Sequence, residues 1–150
     1  MAGEKLYQEA IKGHAKRGCR KGRLESPDAS ATVDNPLCGD RVTVDLSIED
    51  GRVTELGHHV RGCLLCEAAA SVIGCNAVGE TPEALRAARA AAEHLLRGDD
   101  GAANGGDGES WPAIADFTPV RNFKSRHECV LLPFEALAQA LDEATDAQGQ

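Results

Sequence analysis

The chain is poor in aromatic residues: one Trp, one Tyr and three Phe make up only 3% of it. A core of large rings is therefore excluded, and Ala, Val and Leu must do most of the packing. Long apolar runs are missing too, and no stretch approaches the roughly 18 apolar residues that a membrane-spanning helix needs. The opening residues, MAGEKLYQEA, carry no apolar segment of the kind found in secretion signals. Positive charge is scarce: 16 Lys and Arg stand against 24 Asp and Glu, for a formal net charge of −8. That balance argues against a nucleic-acid partner, because a phosphate backbone demands a basic face. These absences predict a soluble, cytoplasmic protein with no membrane and no nucleic-acid partner.

Cysteine, by contrast, is plentiful. The chain has six, at positions 19, 38, 63, 66, 75 and 129. In a reducing compartment such a number points to metal binding or thiol chemistry. Cys19 and Cys75 stand alone and read as small buried apolar residues. The other four fit that reading less well. At 150 residues, 42% of them hydrophobic, the chain is sized for one domain with its own core, residues 1–150.

The hydrophobic pattern changes period along the chain. Residues 4–17 carry Leu6, Ala10 and Ile11 at helical spacing. Residues 18–36 are rich in turn formers and predict a loop, with one short strand near residues 32–33. Val42, Val44, Leu46 and Ile48 then alternate with Thr43, Asp45 and Ser47, the pattern of a half-buried strand. Asp50-Gly51 predicts a tight hairpin turn into a second strand over residues 53–60. After Arg61-Gly62, CLLCEAAASVIG predicts a helix ending at Gly74. Thr81 as N-cap, Pro82 at the first helical position and Gly98 as the stop delimit another. Residues 98–111 are rich in Gly and acid and predict a flexible insertion. Phe134, Leu137, Ala138 and Leu141 predict a last helix starting close to Cys129, because Pro133 is tolerated in a first turn. The whole predicts an α+β domain, a small antiparallel three-stranded sheet covered by helices.

Three cysteines fall where elements begin. Cys38 lies in NPLCGD directly before the first long strand, Cys63 at the strand-to-helix junction, and Cys129 at the start of the final helix. Helix starts offer unpaired N–H groups and the positive end of the dipole, and both favour thiolate over thiol. Asp40, two residues after Cys38, can reach the same point from a turn containing Gly39. Cys38, Asp40, Cys63 and Cys129 are thus candidate ligands of a tetrahedral site suited to zinc or iron. Asp40 has a plainer alternative, a turn in which it hydrogen-bonds its own backbone. Cys66 forms C-L-L-C with Cys63 and is a spare ligand, a resolving thiol or a buried small side chain. Arg126 is an accessory candidate beside the thiolates, or an ordinary surface charge. His58, His59 and His127 are ligands by chemistry and more ordinary strand or loop residues by frequency. A thiol–disulfide redox protein using Cys63-x-x-Cys66 is the alternative function. That role belongs with a βαβ unit, whereas here an antiparallel hairpin precedes the motif.

LYQEAIKGHAKR, NPLCGDRVTVDLSIEDGRVTE, VRGCLLCEAAASVIG and PVRNFKSRHECVLLPFEAL occur in the order found in the U-type iron–sulfur cluster scaffold proteins. The chain resembles that family (IscU, SufU and the NifU N-terminal domain) from about residue 5 to residue 142. The resemblance implies the SufE/NifU-like, or IscU-like, fold. It also implies Cys38, Asp40, Cys63 and Cys129 around one metal or cluster, and a cysteine desulfurase of SufS or IscS type as sulfur donor. Downstream cluster carriers or apo-proteins would be the recipients. Glu128 stands where IscU proteins carry His, Arg126 matches an arginine typical of SufU, TPVRNFK replaces L-P-P-V-K, and the insertion marks SufU. Similarity to that branch implies bound zinc, with Cys38 the sulfur acceptor and Cys129 beside it, whereas a scaffold role implies iron or a [2Fe–2S] cluster. Cys66, where the family usually has serine or another small residue, is a departure, as is HAKRGCR after the first helix.

Overall fold

A computed structural model of the protein describes residues 9–36, 39–98 and 111–148. The first helix, α1 (Glu9–Arg17), buries Ile11 and His14. Strand β1 (Ala29–Asn35) follows, then β2 (Asp40–Glu49) and β3 (Arg52–Arg61). The three form one antiparallel sheet in the order β1-β2-β3. β1 is a full strand in register from Ala29 opposite Leu46 to Asn35 opposite Asp40, longer than the short strand expected near residues 32–33. Ala29, Ala31 and Val33 alternate with Ser30, Thr32 and Asp34 and face the core. Two of these three apolar side chains are only methyl groups, so the signal is weak, and pairing with β2 imposes the extended form.

β2 is the central strand, and its apolar residues Val42, Val44, Leu46 and Ile48 are buried as their alternation predicted. Thr43 and Asp45 on the opposite face are buried as well, so the strand is covered on both sides. Each has a partner: the Thr43 hydroxyl meets that of Thr32 at 2.8 Å, and Asp45 sits within a polar knot. The Arg23 Nε and Nη2 groups donate to the Asp45 carboxylate at 2.7 and 3.1 Å. The Leu24 N–H donates at 3.0 Å and the Ser30 hydroxyl at 2.6 Å. Burial pushes the Asp45 pKa up, but these four donors outweigh it and hold the carboxyl below its usual value. Asp50-Gly51 turns the chain into β3 with both residues at positive φ, +54° and +79°, the type I′ geometry that the dipeptide favours.

Helix α2 (Leu64–Asn76) continues past Gly74, where the sequence predicts its end. A side chain at Gly74 would run into the carbonyl of Cys19, so glycine there serves a close backbone approach and not a stop. Helix α3 (Pro82–Arg97) starts as expected: the Thr81 hydroxyl accepts the Ala84 N–H at 3.2 Å, and Gly98 closes the helix. The insertion expected at 98–111 lies almost wholly outside the described residues. Of its ends, Gly98 caps α3 and Trp111 is buried. Residues 112–122 and 124–126 form 3-10 turns that the helical and strand periods do not reveal. Helix α4 (His127–Gln148) begins two residues before Cys129, so Pro133 falls in its second turn and not its first. Lacking an N–H, Pro133 cannot donate to the carbonyl of Cys129 four residues back.

α4 packs against β1, β2, α2 and α3, and α1 packs against α2. Among the described residues one hydrophobic cluster joins the sheet to these helices, with Leu46, Leu65, Ile73, Phe117, Phe134 and Leu137 among its fully buried members. No described helix is long and apolar enough to cross a membrane.

Candidate metal and thiol site

One end of the sheet collects the chemistry. β2 begins at Asp40 and β3 ends at Arg61, and Arg41 pairs with Arg61 across the two strands. Gly62 therefore leaves β3 directly beside Asp40. A Cβ on Gly62 would stand 2.6 Å from Asp40 Oδ1 and 2.7 Å from its Cγ, so only glycine lets the two segments meet. The next residue, Cys63, is the N-cap of α2. The third contributor arrives from the far end of the sequence, as Cys129 in the first turn of α4.

The ligand atoms of Asp40, Cys63 and Cys129 all lie within 4.8 Å of one another. Asp40 is 4% exposed, Cys129 is fully buried, and Cys63 is half-buried. The Cys63 thiol donates to Asp40 Oδ2 at 3.6 Å. Its pKa is lowered to about 7, chiefly by the hydrogen bond from the Cys129 side chain. Burial works against this, the Cys66 N–H favours the thiolate, the Asp40 charge opposes it, and the Leu65 N–H adds to the stabilisation. Cys63 makes no full side-chain capping hydrogen bond to α2. The helix-start N–H groups therefore act on the sulfur as nearby dipoles, as expected for a cysteine at a helix N-terminus.

Two sulfurs and one carboxylate oxygen at this separation suit a tetrahedral metal with a mixed sulfur and oxygen shell. Asp40, Cys63 and Cys129, named from the sequence, thus converge. Cys38 and its neighbour Leu37 lie outside the described residues. Cys66 is fully buried within the apolar core and is not part of the converging group. Arg126 ends the short 3-10 turn before α4 and is half-buried. Of the histidines, His58 Nε2 pairs with the Cys19 carbonyl at 2.8 Å and His127 Nε2 with the Arg121 carbonyl at 3.0 Å. His59 is exposed on β3, and no histidine joins the group.

Two features of the chain escaped the sequence reading. Gly62 seats Asp40, and only its position directly before Cys63 could have signalled that. Cys19 and Cys75, expected as solitary buried residues, form a disulfide with Cα atoms 5.2 Å apart. Cys75 is exposed and Cys19 half-buried, because the loop after α1 folds back over the last turn of α2.

The family model for the NifU-like N terminal domain matches residues 6–130. The chain is 28% identical over 141 residues to the iron–sulfur cluster assembly scaffold protein IscU of Thermotoga maritima, covering 94% of this chain and 96% of that one. It is 26% identical to the zinc-dependent sulfurtransferase SufU of Bacillus subtilis, over 91% of this chain and 89% of the relative. The crystal structure of a NifU-like N-terminal protein from Brucella abortus superposes with a TM-score of 0.84 at 38% identity, covering 97% of this chain and 99% of that one. The family match covers most of the chain and the fold likeness nearly all of it, and the chain belongs to the NifU-like N-terminal domain family of U-type scaffold proteins.

Proposed function

We propose that this protein is an iron–sulfur cluster assembly scaffold whose thiols accept sulfur from a cysteine desulfurase. One observation carries the reading: Asp40, Cys63 and Cys129 place their ligand atoms within 4.8 Å, with Cys63 able to ionise near neutrality. Cys38 is the proposed fourth ligand and the sulfur acceptor, supported by its place two residues before Asp40. The names of the Thermotoga and Bacillus relatives support cluster assembly and zinc-dependent sulfur transfer, respectively.

In the transfer step, the Cys38 thiolate attacks the outer sulfur of a persulfide on the desulfurase. A new S–S bond forms on Cys38, the donor's S–S bond breaks, and the donor cysteine leaves as thiolate. A zinc ion held by Asp40, Cys63 and Cys129 with Cys38 would keep the thiols deprotonated, and iron or a [2Fe–2S] cluster would be cargo on the same ligands. Asp40 supplies the harder, weaker donor of the set, and Cys129 supports the Cys63 thiolate by hydrogen bonding. Cluster carriers or apo-proteins would receive the product.

Two measurements test the proposal. Native mass should fall by one zinc, one iron or a two-iron cluster when the protein is unfolded in chelator. Cys38→Ala should lose persulfide loading from a desulfurase while retaining its fold, and loading equal to wild type would refute the acceptor assignment. The alternative, a redox couple of Cys63 with Cys66, is disfavoured because Cys66 is buried in the core while Cys63 faces Cys129.

A further inference from the structure

Far from the candidate metal site, at the opposite end of α2, the loop after α1 is fastened to the body of the protein. The Cys19 N–H donates to the Ser71 hydroxyl at 3.0 Å, and the Cys19 carbonyl pairs with His58 Nε2 at 2.8 Å. The Gly22 N–H donates to the His58 carbonyl at 2.8 Å. Gly57 and Gly74 let the loop lie directly on β3 and α2, since a Cβ at either would strike the carbonyl of Gly22 or of Cys19. The Cys19–Cys75 disulfide closes this clasp and spans 56 residues of sequence. Beneath it the seam is imperfect. A cavity of about 10 Å³ is lined by Gly18, Lys21, His58 and Glu67 among others, and the buried His58 Nδ1 has no hydrogen-bond partner.

The surroundings of this disulfide differ from those of an inert structural crosslink. Cys75 is exposed while Cys19 is half-buried, so Cys75 is the more open of the two to an incoming thiolate. Cys19 lies in KRGCRKGR, where Lys16, Arg17, Arg20, Lys21 and Arg23 all fall within eight residues of a chain with net charge −8. Arg20 and Lys21 are exposed. Of this cluster Arg23 is committed to Asp45, and Arg17 Nη1 reaches His14 Nδ1 at 3.2 Å. Cations around a cysteine favour it as the departing thiolate and attract an anionic reagent.

We propose that Cys19–Cys75 is a second thiol site, one that exchanges with a negatively charged low-molecular-weight thiol and, when reduced, unfastens α1 from α2. The incoming thiolate attacks Cys75 Sγ and forms a mixed disulfide there. The Cys19–Cys75 bond breaks, and its electron pair leaves on Cys19 Sγ. A second molecule of the thiol attacks the small-molecule sulfur of the mixed disulfide and releases Cys75. The two thiols are oxidised to their disulfide, the protein pair gains two electrons, and protons come from solvent. The reverse sequence, with the small-molecule disulfide as oxidant, closes the clasp.

The test uses the full chain as purified, with any bound metal retained. It is exposed under native conditions to 2-mercaptoethanesulfonate, 2-mercaptoethanol or cysteamine, which are anionic, neutral and cationic respectively. Rates are compared at equal thiolate concentration by mass spectrometry of the peptides carrying Cys19 and Cys75. The anionic reagent should outpace the cationic one by on the order of tenfold at low salt, and the gap should close toward 1 M salt. The first adduct should sit on Cys75, and hydrogen exchange over residues 9–24 should rise on reduction while residues 127–145 stay protected. Cys75→Ser should reproduce that exchange pattern without any reagent. A disulfide that resists millimolar thiol, rates indifferent to reagent charge, or exchange unchanged on reduction would each overturn the proposal.

Discussion

Gly62→Ala offers a sharp test of how the candidate metal site is seated. The added Cβ would lie 2.6 Å from Asp40 Oδ1, 2.7 Å from Cγ and 3.0 Å from Cβ. Restoring an ordinary contact near 3.5 Å requires the carboxylate to retreat by roughly 0.9 Å. Because Asp40 Cβ is itself within the crowded zone, rotating the carboxylate alone does not relieve the clash, and Asp40 is nearly fully buried. Ligand sets tolerate displacements of about 0.5 Å, and disturbing a ligand's support typically lowers metal affinity by about 10–100-fold. Zinc affinity measured by competition with a chromophoric chelator should therefore fall by one to two orders of magnitude. Gly13→Ala is the control, since nothing lies within 4 Å of the added Cβ in α1. It should leave zinc affinity unchanged and stabilise the protein by up to about 1 kcal/mol. If Gly62→Ala bound zinc as tightly as wild type, the claim that Gly62 seats Asp40 in a metal site would fail.

Other outcomes follow from the same structure. Asp45→Asn should destabilise the protein by about 2 kcal/mol at neutral pH in urea unfolding, since Arg23 is half-exposed and the loss is partly screened. The Asp45 pKa is lowered on folding, so its contribution is present above the unfolded carboxyl pKa and is lost as pH falls through the folded value. Wild type should thus lose stability faster than the Asn variant below about pH 4, and parallel acid limbs would contradict the assignment. Thr81→Ala should cost about 1 kcal/mol through loss of the α3 cap, with zinc affinity unaltered. Zinc at 100 times its dissociation constant should stabilise wild type by about 2.7 kcal/mol, and chelator should abolish that gain in thermal melts.

The sequence made β2, the Asp50-Gly51 turn and α3 legible because each carries a local signal: alternation, a residue pair made for positive φ, or a cap. β1 was largely hidden because the period-2 rhythm of ASATVDN is carried by Ala29, Ala31 and Val33, mostly small side chains with weak strand preference, and its extended form comes from its partner. The 3-10 region is a different case. Trp111, Ile114, Phe117 and Val120 are all buried and recur every third residue, the period of a 3-10 helix, so a signal existed outside the two usual periods. At the site, Asp40, Cys63 and Cys129 could be named because three of the six cysteines fall at element starts and Asp40 stands two residues from one of them. Their convergence came mainly from the family resemblance, because spacing alone does not show α4 lying along the sheet. The Cys19–Cys75 pair was illegible for the same reason: only the folding back of a loop brings together residues 56 apart in sequence.

That Cys129 comes from the last helix has a consequence for the timing of assembly. Asp40 and Cys63 lie 23 residues apart and meet when the β2–β3 hairpin and the start of α2 form. Cys129 is translated 66 residues later than Cys63, so a nascent chain emerging from the ribosome carries Cys38, Asp40 and Cys63 while the Cys129 thiol is still missing. Domains fold largely as units once their distant partners are available. The full ligand set therefore comes into existence only after α4 has been made and has docked. On the proposed metal-site reading, a pocket lacking Cys129 would hold a metal ion less tightly, so the order of synthesis itself would discourage premature loading.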